Sequence, residues 1–180
     1  DVTPERVRDL VMQTWAKIPK RADVLPKERP QEPQKHAARV VTLHDDRVST
    51  PSFRMSWLVP SYANEKRFPN VKAGDAPALD LLGEILGGSL RSRLYQELIV
   101  KQGIASNTGA SYDGDPLDDG TFSVYGSPQN GKTLADVEKA VDAELARIIK
   151  DGVTQEELDQ ARNRFLKAIT FARDSQSGMA

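Results

Sequence analysis

At 180 residues and a net charge of -1, the chain is long enough for one hydrophobic core and short for two. Its 38% hydrophobic and 28% charged residues suit a globular domain with a solvated surface. The balanced charge argues against a sequence-independent nucleic-acid binder, which depends on many uncompensated Lys and Arg. The lack of Cys excludes disulfides, thiolate zinc and cysteine nucleophiles, and leaves periplasm and cytoplasm both open. No apolar run approaches the ~20 residues that span a bilayer.

Thr3-Pro4-Glu5 predicts a helix start: a capping Thr, a Pro at the first helical position and an acid at the positive end of the dipole. Val7, Leu10, Val11, Thr14, Trp15 and Ile18 give that helix one apolar face, and Pro19 ends it. Residues 19–36 hold Pro19, Pro26, Pro30 and Pro33 among charged residues and read as an extended linker. Strands are expected at Arg39–His44 and at Ser52–Val59, where Phe53, Met55, Trp57 and Val59 recur with a period of two. Asp75 is expected to cap a helix through Leu79, Leu82, Ile85 and Leu86. Gly87-Gly88 breaks it, and Ser89 caps the next helix with Leu90, Leu94 and Leu98 in line. Gly103 stands where a left-handed C-terminal residue is wanted. Two further strands, Ile104–Tyr112 and Thr121–Tyr125, flank the turn-rich residues 113–120. Thr133-x-x-Asp136 and Thr154-x-x-Glu157 form capping boxes for two final helices, the first stopping at Gly152. The order helix, linker, ββ, αα, ββ, αα implies an α+β fold, an antiparallel sheet with helices on one face.

Gly126-Ser127-Pro128-Gln129-Asn130-Gly131-Lys132-Thr133 matches the phosphate-loop pattern G-x-x-x-x-G-K-[ST] at each fixed position. Such a loop belongs to a buried parallel sheet with continuous apolar strands. Thr121-Phe122-Ser123-Val124-Tyr125 alternates instead, so a strand-to-helix turn is the stronger reading and a nucleotide-binding module the weaker. His36 and His44 are the only histidines, too few for most histidine zinc sites. His44-Asp45-Asp46 reads as a polar strand end. Asp113, Asp115, Asp118 and Asp119 lack the spacing of a helix-loop-helix calcium site and read as a solvated acidic turn.

Leu82-Gly83-Glu84-Ile85-Leu86-Gly87-Gly88-Ser89-Leu90-Arg91-Ser92-Arg93-Leu94-Tyr95-Gln96-Glu97-Leu98 resembles the second-half motif of the pitrilysin/insulinase-like zinc metallopeptidases, in the branch of mitochondrial processing peptidase and its bacterial relatives. Gly152-Val153-Thr154-Gln155-Glu156-Glu157-Leu158 and Asp174-Ser175-Gln176 extend the likeness over most of the chain. The resemblance implies that residues 1–18 are the last helix of a first half, 19–36 the linker between halves, and 37–180 a second half lacking its final strand and helix. It implies no cofactor in this chain and zinc in the absent first half. Partners would be that first half, a second family subunit and an unfolded peptide substrate, with no nucleic acid and no membrane span.

Catalytic family pairs draw an Arg and a Tyr from a stretch like L-R-x-x-x-G-L-x-Y. The matching stretch here is Leu98–Ser106, with Ile99 at the Arg position and Ser106 at the Tyr position. The helix corresponding to the zinc helix offers only Asp80 and Glu84, which read as surface carboxylates. The resemblance therefore implies a non-catalytic C-terminal domain of a bacterial zinc-peptidase subunit, with no catalytic or metal residue. It would wall a peptide-enclosing chamber and meet a partner through Gly87, Gly88, Ser89, Arg93 and Tyr95. The alternative is a structural relative without peptidase activity.

Overall fold

Thr3 accepts the Arg6 N–H at 3.3 Å, and Pro4 sits in the first turn of helix α1, Pro4–Gln13. The computed structural model describes residues 2–19, 30, 33, 37–64 and 71–174. Its contacts separate two units, Asp1–Ala38 and Arg39–Ala180. In the first, the expected helix through Ile18 is shorter. The Thr14 hydroxyl bonds back to Leu10 O at 2.6 Å, and the chain tightens into a 3₁₀ turn at Trp15–Lys17. No side chain of α1 is buried.

The second unit runs β1 (Phe53–Val59), α2 (Asp75–Leu86), a π-helix (Tyr95–Lys101), β2 (Ala105–Asp113), β3 (Gly120–Pro128), α3 (Leu134–Asp151) and α4 (Gln155–Ala172). It is an α+β fold. The three strands form an antiparallel sheet in the order β1-β3-β2, with Met55 and Ala110 both opposite Val124. The period of two places Ala110, Phe122 and Val124 in the core. There α2 and the π-helix pack on β2, α3 packs on β3, and α4 packs on α2. Leu86, Leu94, Leu98, Val137 and Val141 complete that core. The other face of the sheet carries Ser56, bonded to Ser123 at 2.9 Å, and Arg54, set 5.4 Å over the Tyr125 ring.

Three expectations change. Arg39–His44 is not a strand: among the described residues it has no ladder partner, and Val40, Val41 and Leu43 are exposed. Strand preference expresses packing against a neighbour, and among the described residues β1 pairs with β3 alone. Asp75 does not cap α2. Gly74 does, at φ +100, and the Asp75 carboxylate instead accepts the Lys72 N–H at 2.9 Å. Ser89 opens a turn rather than a helix, closed by Ser92 N–H on Ser89 O at 3.0 Å. Helix begins at Arg93 and widens to the π form, where Gln102 N–H reaches Glu97 O five residues back at 3.0 Å. Gly103 ends it at φ +59, as its position predicts.

Candidate functional site

The end of α2 lies directly against the backbone of β2. A β-carbon at Gly87 would overlap the Ala110 nitrogen and the Gly109 carbonyl carbon. At Gly88 it would run into the Glu84 side chain and lie 2.8 Å from the Glu84 Cα. The glycine pair therefore answers to close approach. Gly88 is exposed beyond it, and Ser89 is half-buried with its hydroxyl accepting the Arg91 N–H at 3.3 Å.

Arg93, 12% exposed in its side chain, points to the α3–α4 junction. Its guanidinium grips Glu157 with Nε on Oε1 at 2.6 Å and Nη2 on Oε2 at 2.8 Å, and Nη2 also reaches Gly152 O at 3.0 Å. The same Glu157 carboxylate closes the α4 capping box on the Thr154 N–H at 2.8 Å. Arg93 foremost holds the Glu157 carboxyl down at about 2. Tyr95 is half-buried at the first residue of the π-helix. The capping box is legible in the sequence; the arginine that shares it, 64 residues away, is not.

Ile99 and Ser106 are the residues that the sequence resemblance sets against an Arg and a Tyr. Ile99 packs against the core. Ser106 is the extra residue of a bulge in β2, where the pairing steps from Ala105 opposite Pro128 to Asn107 opposite Ser127. Its hydroxyl donates to Pro128 O at 3.0 Å. Neither side chain can offer a cationic or phenolic donor to a developing oxyanion.

The carboxylates of α2 also have partners. Glu84 takes Arg164 Nε at 2.5 Å, bracing α2 to α4. Asp80 accepts the Tyr62 hydroxyl, and burial together with that bond pushes the phenol above its ordinary range. Among the described residues no group of three or more His, Cys, Asp or Glu could hold a metal. His44 is exposed, 3.4 Å from Asp46, and His36 lies outside the described residues. The phosphate-loop pattern leaves the central strand of an antiparallel sheet, and its Thr133 hydroxyl is held by Asp136 in a capping box. The acidic turn is tied to the segment after β1 by Tyr62 N–H on Gly114 O at 2.9 Å and Asn64 Nδ2 on Asp119 at 3.0 Å.

A cleft of about 350 Å³ opens where the π-helix meets the α3–α4 junction, lined by Arg91, Gln96, Glu97, Lys101, Arg147 and Asp151 besides the Arg93–Glu157 pair. Lys101 pairs with Glu97 at 3.0 Å and Arg147 with Glu144 at 2.8 Å. Glu144 is 4% exposed, and desolvation pushes its carboxyl up. Three of the cations around the cleft are thus matched by carboxylates.

The family model for the peptidase M16 inactive domain matches residues 1–165. The chain belongs to that family. This M16 inactive domain is 29% identical over 165 residues to the zinc protease PqqE of Helicobacter pylori, covering 90% of this chain and 34% of that protein. It is 27% identical over 110 residues to the uncharacterized zinc protease YmxG of Bacillus subtilis, covering 60% of this chain and 26% of that one. The chain thus spans about a quarter to a third of these relatives. In fold it is similar to a protease from Helicobacter pylori, with a TM-score of 0.81 at 23% identity, over 99% of this chain and 41% of that one. A peptidase M16 inactive domain from Pseudomonas fluorescens follows at a TM-score of 0.61 and 21% identity, over 94% and 38%. The metallopeptidase resemblance read from the sequence is thereby established. Among the described residues of this M16 domain, no helix is long and apolar enough to cross a membrane.

Proposed function

We propose that this M16 inactive domain is the non-catalytic second half of a zinc-peptidase subunit, forming part of a peptide-enclosing chamber and the interface with a second family subunit. Ile99 and Ser106 carry this reading, because hydrocarbon in the core and a hydroxyl committed to Pro128 O replace the two groups that would bind a peptide backbone at a reacting centre. The zinc belongs to a first half of the same polypeptide, whose last helix is residues 1–18, joined through 19–36 to residues 37–180. Contact with peptide or partner runs through Gly87, Gly88, Ser89 and Tyr95. Arg93 serves that surface as a brace, since its guanidinium is held by Glu157 and Gly152.

Zinc content and hydrolysis of an unfolded peptide are the deciding measurements, made on this chain and on the longer polypeptide that contains it. This chain is expected to hold no stoichiometric zinc and to cleave nothing. The longer polypeptide, alone or with a second family subunit, is expected to hold zinc and to cleave. Zinc and cleavage absent from the longer polypeptide in both settings would leave a structural scaffold as the function.

A further inference from the structure

The stretch that matches a phosphate loop holds at its centre the Asn130-Gly131 dipeptide. β3 ends at Pro128, and Lys132 N–H closes on Gln129 O at 2.9 Å, so Asn130 and Gly131 take the two central places of a turn. Both are exposed, and Gly131 stands at φ +82. A β-carbon built on Gly131 would meet nothing within 4 Å, so the space beside its nitrogen is open. Among the described residues neither the Gly131 N–H nor the Asn130 amide has a hydrogen-bond partner. An Asn side chain with this freedom can bring its amide carbon onto the nitrogen of the next residue, and glycine adds no side chain to obstruct the approach.

The fold restrains the comparable pairs elsewhere. In Asp113-Gly114 and Asp119-Gly120 the glycine is buried, and in Asp151-Gly152 the Gly152 N–H is committed to Ile148 O at 2.9 Å. Asn163 lies within α4, where the helix holds the following nitrogen, and the Asn64 amide donates to Asp119. We infer that Asn130–Gly131 is a self-modification site, at which the folded chain deamidates and acquires an irreversible negative charge beside the start of α3. The Gly131 nitrogen, on losing its proton, attacks Asn130 Cγ. The N–Cγ bond forms, the Cγ–Nδ2 bond breaks, and Nδ2 leaves as ammonia with that proton. Water then opens the resulting cyclic imide at one of its two carbonyls. One opening leaves an ordinary aspartyl link, the other an isoaspartyl link with the main chain routed through the side-chain carbon. The change is held between two anchors, Gln129 N–H on Ile104 O at 2.8 Å and the Thr133 capping box. The new carboxylate lies near Lys132 and the positive end of the α3 dipole, both of which favour it. The site does not depend on whether the parent enzyme cleaves peptides.

Peptide mapping by mass spectrometry, after weeks in mildly alkaline buffer at physiological temperature, tests it, with an isoaspartyl methyltransferase marking the rearranged link. The wild-type chain is expected to exchange amide for acid at Asn130 and to gain a more acidic form on ion exchange. Isoaspartate is expected to be several-fold more abundant there than at Asp113-Gly114, Asp119-Gly120 or Asp151-Gly152. In urea those three pairs are expected to join it, as unfolding releases their nitrogens. Asn130→Gln is expected to abolish methyl acceptance at this turn, because the longer side chain must close a larger, less favoured ring. An Asn130 amide intact after the incubation, or the same distribution of isoaspartate in native buffer and in urea, overturns the inference.

Discussion

Gly87 and Gly103 are both glycine for reasons that a substitution separates. Gly103 sits at φ +59 with open space around its Cα, so Gly103→Ala costs about 1 kcal/mol of backbone strain. Gly87 has an unremarkable φ of -151, but β2 backbone fills the place of its side chain. Gly87→Ala must move α2 away from Ala110, and is expected to cost about 2 kcal/mol or more in urea unfolding. Two glutamates carry opposite pH signatures. The folded-state carboxyl of Glu157 is held near 2 against an ordinary value of 4.5, so its contribution is complete above about 4.5 and fades as pH falls toward about 2. Arg93→Met is expected to cost about 1–3 kcal/mol at neutral pH, with the gap to wild type closing as unfolding is repeated in acid. Glu144 is shifted up by burial, so the unfolded chain releases its proton first, and this residue weakens the fold as pH rises through its titration. Glu144→Gln is expected to match or exceed wild-type stability at neutral pH and to lose any advantage in acid.

Helix starts are the elements most open to reading from the sequence, because a capping box is a contact over three residues. Thr133 and Thr154 both accept the N–H of the third helical residue, at 3.2 Å each. Thr133→Ala is expected to cost about 1 kcal/mol. Thr154→Ala is expected to cost more, since it disturbs the carboxylate that Arg93 also holds. A double-mutant cycle of Thr154→Ala with Arg93→Met should show a coupling of about 0.5 kcal/mol or more, while Thr133→Ala with Arg93→Met should be additive. The π-helix was less legible. Its apolar spacing, Leu90, Leu94 and Leu98, fits an ordinary helix. Gln102 N–H on Glu97 O, five residues back, marks the wider turn, and no spacing of apolar residues encodes that bond. Arg39–His44 shows the converse, a strand pattern without a strand, because a ladder needs a second segment.

At the scale of the molecule, the phosphate-loop pattern provides a sharp test. Gly131, Lys132 and Thr133 match its letters, but a parallel sheet is needed to aim such a loop at phosphate, and β3 is the centre of an antiparallel one. Calorimetry with ATP and GTP is expected to show no saturable binding. Micromolar affinity lost in Lys132→Ala would reinstate the nucleotide reading. The two units of the chain also differ in character. Arg39–Ala180 has its own core of Leu86, Leu94, Leu98, Val124, Val137 and Val141, whereas α1 buries nothing.

The sequence by itself determined what depends on neighbours within a few residues: the capping boxes at Thr133 and Thr154, the left-handed stop at Gly103, and the alternation of Phe122 and Val124. It also fixed the absence of an Arg and a Tyr at 99 and 106, since a missing side chain is read directly from the letters. Tertiary structure decided what depends on residues brought together from afar. It paired Arg93 with Glu157 and Glu84 with Arg164, buried Glu144, and put Ser106 in a bulge. Among the described residues it also gave 39–44 no ladder. Local propensity is a preference of about 1 kcal/mol or less per residue, and a neighbour that fills, pairs or withholds the facing surface outweighs it.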